Sequence, residues 1–160
     1  MNRLTFVVGT LVMLIGLGLV SRAQVMDENG PRGTWTVAVT PPAASHVPAF
    51  SGLYTFTGGG ALFVSSQIDH LTNNSILQGS WRRGDHGEIN STEIAFLYAP
   101  TGAAIGTLKV RATYQFSDAN NFTGSGQQGV CDLNGRHCNW FPGSASLIGT
   151  RMEIEEPVGP

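Results

Sequence analysis

The stretch RRGDHGE (Arg82–Glu88) brings five ionisable side chains into seven residues. A histidine beside carboxylates is the arrangement that general acid–base catalysis uses, and here it would pair His86 with Asp85 or Glu88. Gly84 and Gly87 also mark the run as a hairpin tip, and a solvated tip is the commoner fate of such a sequence. The other histidines, His46, His70 and His137, fall in loops or beside turns. No two of the four stand at the i, i+2 or i, i+4 spacing of a metal or haem site. No G-x-S-x-G nucleophile motif occurs, and GSGQQG (Gly124–Gly129) lacks the lysine and helix of a phosphate loop. Its glycines are read as strand bends or a bulge. Two ionisable residues, Glu93 and Arg111, lie mid-strand; inside a barrel either would have the perturbed pKa that catalysis exploits. Alternation directs Arg111 outward. No catalytic residue, metal or cofactor is assigned, and a non-enzyme is the favoured reading.

Cys131 and Cys138 flank DLNGRH. If Asn134-Gly135 form a two-residue type I′ turn, the two cysteines face each other on one side of the ribbon and can bond. If Leu133-Asn134 form a type I turn with Gly135 left-handed, the register shifts by one and the thiols point to opposite faces. DxNG suits either turn. A metal site there lacks a fourth ligand at any standard spacing.

The elements that must position these residues are strands. The chain has 160 residues, 21 of them glycine, and only 12% charged residues, a composition suited to short strands with many turns in one domain. Arg3, the uncharged apolar run Leu4–Val20 and the small residues around Arg22 in Ser21–Ala23 read as a secretory signal, residues 1–23. Its cleavage leaves an exported chain, periplasmic or extracellular, that does not insert in a membrane. Removing Arg3 and Arg22 from the nine basic residues leaves seven against eleven acidic ones, a net charge of about −4. Lys109 is the one lysine and no basic cluster exists, so nucleic acid is excluded as a partner.

Residues 24–32 read as a flexible lead-in, 33–155 as one domain and 156–160 as a frayed tail. In TWTVAVT, Trp35, Val37 and Val39 share one face of a strand. Pro41–Phe50 holds three prolines and is read as a long loop. Leu53–Thr57 and Ala61–Ser66 form a hairpin about a triple-glycine turn, and Gly79–Arg83 and Glu88–Ala99 follow. Ile105–Phe116 alternates most clearly, with Leu108, Val110, Ala112, Tyr114 and Phe116 on one face. Eight strands with short connections predict an all-β, eight-stranded antiparallel up-and-down barrel, because closure removes the edges that such uncharged strands would expose.

GTWTV resembles the Gly-x-Trp signature of lipocalins and the wider calycin group, and GTRMEI (Gly149–Ile154) is similar to the last strand in which that group places an arginine. The resemblance implies a lipocalin-like barrel in which Arg151 packs across Trp35 and closes one end. GTWTV, FTGGG and GSWRR also resemble segments of uncharacterised exported bacterial proteins. The expected function is binding of a small apolar molecule through a mouth ringed by Pro41–Phe50. Alternatives are a calycin-like isomerase or cyclase and a structural or protein-interaction module of the envelope. The inner-face aromatics Trp35, Tyr114 and Phe116 are the candidate pocket residues. An eight-stranded barrel is only just wide enough for one small ligand, so filling by its own side chains is the favoured expectation.

Overall fold

Tryptophan and valine alternate with threonine and alanine from Thr34 to Thr40, and a pleated strand sends the two sets to opposite faces. The computed structural model of the chain describes residues 30–155 and Gly159. The signal-peptide reading of residues 1–23, the lead-in up to residue 29 and all of the tail except Gly159 lie outside the described residues. The strands are β1 (Gly33–Thr40), β2 (Phe50–Phe56), β3 (Ala61–Ser66), β4 (Leu77–Arg83), β5 (Ile89–Tyr98), β6 (Ala104–Phe116), β7 (Asn121–Cys131), β8 (Asn139–Trp140) and β9 (Ala145–Arg151). One 3-10 turn, Ala43–Ser45, interrupts the loop between β1 and β2. In β1, Trp35, Val37 and Val39 are buried while Thr36, Ala38 and Thr40 are exposed, as the alternation predicts.

Consecutive strands from β1 to β7 pair antiparallel, and β9 lies between β7 and β1. The ring is therefore closed: an all-β, eight-stranded antiparallel barrel, compatible with a lipocalin-like fold. The additional strand β8 pairs with β7 at Gly129 and Val130, continuing along the edge that β9 covers from Asn121 to Gly126. Two strand starts differ from expectation by more than one residue. Phe50 pairs with Val39 and belongs to β2 rather than to the loop, and β4 begins at Leu77, opposite Val64. Both are apolar residues that join an existing ladder where the polar or proline-containing chain ends.

One end of the barrel is filled by rings. Phe56 lies edge-on to Trp35 (5.4 Å between centroids) and to Tyr114 (5.3 Å), and Phe122 packs on Phe116 (5.0 Å) and Tyr114 (5.3 Å). Each ring removed from water contributes about 1.5–3 kcal/mol, and each edge-to-face pair about 0.5–1.5 kcal/mol more. Gly149 of β9 admits Phe122 to this stack, since a Cβ there would lie 2.2 Å from the Phe122 Cε1. Gly30 and Pro31 are buried, Gly30 against the Trp81 indole, whose Nε1 donates to the Thr57 carbonyl at 3.1 Å. Gly30 and Pro31, expected to belong to a flexible lead-in, are thus buried at the barrel end, Gly30 on the apolar surface that Trp81 offers.

The turn after β7 resolves the two alternatives for the cysteines. The Asp132 N–H donates to the Arg136 carbonyl at 2.8 Å, the Gly135 N–H to the Asp132 carbonyl at 2.9 Å, and Gly135 has φ +68°. This is the type I turn with a left-handed glycine. Cys131 and Cys138 are nevertheless joined by a disulfide, with Cα atoms 4.0 Å apart. The expectation that this turn forbids the bond assumed that the ladder continues to Cys138. It ends instead at Cys131, and His137 takes a second left-handed conformation (φ 50°) that brings Cys138 back towards its partner. The Asp132 carboxylate supports the turn, accepting from the N–H groups of Asn134 (2.9 Å) and Arg136 (2.8 Å) and pairing with His137 Nδ1 (2.7 Å).

Candidate functional site

The opposite half of the barrel is open, for a reason written in β7. Its inward-facing residues after Phe122 include Gly124 and Gly126; Gly124 lies between Tyr114 and Leu147, and Gly126 between Ala112 and Ala145. The β6–β7 register runs unbroken from Thr107–Cys131 to Phe116–Phe122, so these glycines mark no bulge. Gly124 admits the Tyr114 ring, whose Cδ1 would lie 3.2 Å from a Cβ there, and Gly126, with Ala112 and Ala145, subtracts side-chain volume from the wall. The result is a cavity of about 310 Å³. Its wall includes Val64, Leu108, Val110 and Leu147, and Pro41, Pro42, Val47 and Phe50 also line it. That volume lies at the lower end of the range for ligand pockets.

On the inner face of β5, Ser91 and Glu93 stand between Ile89 and Ala95, and all four are buried. Glu93 is 1% exposed and lines the cavity. The Tyr114 hydroxyl lies 3.4 Å from Glu93 Oε1 and donates to it, and Ser91 Oγ donates to the Tyr114 oxygen at 3.2 Å. Burial raises the Glu93 pKa to about 7, against the opposing effect of the neighbouring Ser91 and Tyr114 hydroxyls. Tyr54 of β2 lies edge-on to Tyr114 at 6.3 Å and also lines the cavity. Burial, and after it the neighbouring charge of Glu93, pushes both tyrosine hydroxyls up, so both remain protonated donors. Asp69, between β3 and β4, adds a second carboxylate to the wall and accepts from the Ser66 N–H at 2.8 Å. The described lining contains no lysine, arginine or histidine. A carboxyl titrating near neutrality beside a phenol can exchange a proton with a bound molecule or, ionised, hold a cation.

Of the three aromatic residues expected to line a pocket, Tyr114 alone reaches this cavity. Trp35 and Phe116 lie in the ring cluster at the filled end, 5.7 Å apart. Strand alternation places all three on the inner face, but position along the barrel separates them. Trp35 faces Arg151 across the β1–β9 ladder, and the guanidinium lies 5.0 Å from the indole centroid. Arg151 also donates through Nη1 to the Ala119 carbonyl at 3.2 Å and through Nη2 to the Arg32 carbonyl. The stacking contributes roughly 0.5–2 kcal/mol, and the donors tie two loops across the closed end. Arg111 points outward, 4.5 Å from the Trp140 centroid. His86 is exposed at its hairpin tip, where its backbone N–H donates to Glu88 Oε2 at 3.0 Å. No group of His, Cys, Asp and Glu that could hold a metal ion occurs among the described residues.

The residues that sequence reasoning did not assign to a pocket are Tyr54, Ser91 and Glu93. The sequence marks Glu93 only as a residue that an enzyme would need inside the barrel. The available signal was its strand position, which fixes a face once the neighbouring ladders are known. Comparison of the chain with protein-family models, with curated proteins and with solved structures gave no match in any of the three.

Proposed function

We propose that the chain is an exported, lipocalin-like barrel that binds one small, predominantly apolar molecule in its open half. The cavity of about 310 Å³, apolar-walled and reached through the Pro41–Phe50 loop, is the observation that carries this reading. The apolar run Leu4–Val20 supports export, and the Arg151 guanidinium over Trp35 supports the kinship. Val110 lines the open half and is only partly buried, so it offers a place to block the cavity without disturbing the ring cluster.

The neutral fluorophore N-phenyl-1-naphthylamine should therefore brighten on binding, and Val110→Trp should weaken its binding at least tenfold with an unchanged far-ultraviolet spectrum. Equal binding by wild type and Val110→Trp would place the probe elsewhere and refute the assignment. A second reading, an isomerase or cyclase working by proton transfer, is favoured by one observation. Glu93, raised to about 7 and in reach of the Tyr114 hydroxyl, forms an acid–base pair on the cavity wall.

A further inference from the structure

The charge of the cavity says more about its occupant than the volume does. Its described wall carries two carboxylates, Glu93 and Asp69, and no basic side chain. Glu93 is almost wholly removed from water among Ser91, Ala95, Tyr54 and Tyr114. A carboxylate so placed lacks both its hydration and a cationic partner in the wall, and a ligand that carries a cation would supply the partner. Phe50, Tyr54, Tyr114 and Phe141 add ring surfaces to the same cavity, and an ammonium group is attracted to such faces. An anionic ligand would meet two like charges and no compensating donor stronger than a phenol.

We infer that the barrel's ligand is a small hydrophobic amine whose ammonium group is held by the Glu93 carboxylate while its apolar body fills the space between Val64, Val110 and Leu147. This assignment rests on the binding function proposed above and adds the chemical class of the ligand. Its binding should depend on pH. The groups facing Glu93 are Ser91 on its own strand, Tyr114 of β6 and Tyr54 of β2, and Asp69 of the β3–β4 connection lines the same cavity and acts on Tyr54. The tyrosines stay neutral throughout the neutral range, so Glu93 governs the change. With its pKa near 7, the ionised fraction falls about tenfold between pH 8 and pH 6, and amine affinity should fall with it.

Three probes with the same cage separate the outcomes: 1-adamantanamine, 1-adamantanol and 1-adamantanecarboxylate, titrated calorimetrically into the protein at pH 8. The amine is expected to bind at least tenfold more tightly than the alcohol, and the carboxylate more weakly than either. In Glu93→Gln the alcohol should bind within about threefold of wild type while the advantage of the amine disappears. The wild-type ranking requires no variant, so it stands even if Glu93→Gln folds poorly. Equal binding of amine and alcohol, preference for the carboxylate, or an amine advantage retained in a folded Glu93→Gln would overturn the amine assignment while leaving a binding cavity in place. Failure of all three probes, together with failure of the neutral fluorophore, would remove the binding function itself.

Discussion

Between pH 4.5 and pH 8 the protein is expected to lose about 3 kcal/mol of stability through Glu93 alone, and Glu93→Gln should abolish that loss. An unfolded glutamate titrates at 4.5, whereas the folded state holds Glu93 at about 7. In the interval the native state binds more protons than the unfolded state, so stability falls as pH rises. The stabilising proton is fully present below pH 4.5 and is lost as pH passes through 7. A shift of about 2.5 units corresponds to about 3 kcal/mol, and at 1% exposure little solvent screening reduces it. Glutamine keeps the shape and cannot ionise, so the variant should be the more stable protein at pH 8 and nearly equal to wild type at pH 4.5. Urea midpoints of both proteins across this range check the prediction, and the difference between them isolates Glu93 from other groups. Those others act at lower pH: hydrogen bonds from backbone and side-chain donors hold Asp118 and Asp132 below the usual carboxylate range, so protonating them in acid destabilises the fold. A stability gain from removing a buried polar residue is the signature of a group retained for function rather than for folding.

The opposite behaviour is expected at the filled end. Phe56→Ala should cost about 3–5 kcal/mol, measured by denaturant or thermal unfolding. Phe56 is 1% exposed and lies edge-on to Trp35, Trp81, Tyr114, Phe116 and Phe122, so its removal leaves a void bounded by rings on strands from both sides of the barrel. Those strands are fixed by their ladders and cannot collapse into the space. Phe56→Leu keeps part of the volume and should recover part of the loss. A cost near 1 kcal/mol for Phe56→Ala would mean that this end is loosely packed, and the division of the barrel into a filled and an open half would fail.

The division itself was only partly legible in the residues. The strands and their closure were legible, because β1 and β6 alternate cleanly and apolar runs are separated by glycine- and proline-rich turns. The Trp35–Arg151 juxtaposition is what the resemblance of GTWTV and GTRMEI implies, and the β1–β9 ladder sets the two residues opposite each other. The pocket was hidden for two physical reasons. Periodicity reports which face a side chain takes, not how far along the barrel it sits, so Trp35 and Phe116 looked as available to a ligand as Tyr114. In β5 the pattern also misleads: Phe96 and half-buried Ile94 point away from the interior, while Ser91 and Glu93 point into it. Only the pairing of β5 with both neighbours settles its orientation. The glycines of β7 carried the strongest unused signal. Gly126 shares the face that Phe122 occupies and pairs with Ala112 and Ala145, and three such small residues side by side leave space on the inner wall.

The central claim, that the open half is an accessible apolar cavity, is tested most directly by a crystal of the protein under xenon pressure. Xenon occupies apolar cavities without hydrogen bonding or charge, so it reports space and lining alone. The expected result is an ordered xenon site inside the barrel, within contact of Val64, Val110 and Leu147. Xenon confined to the outer groove beside Leu53, Phe63 and Ile154, with none between those three residues, would contradict the account.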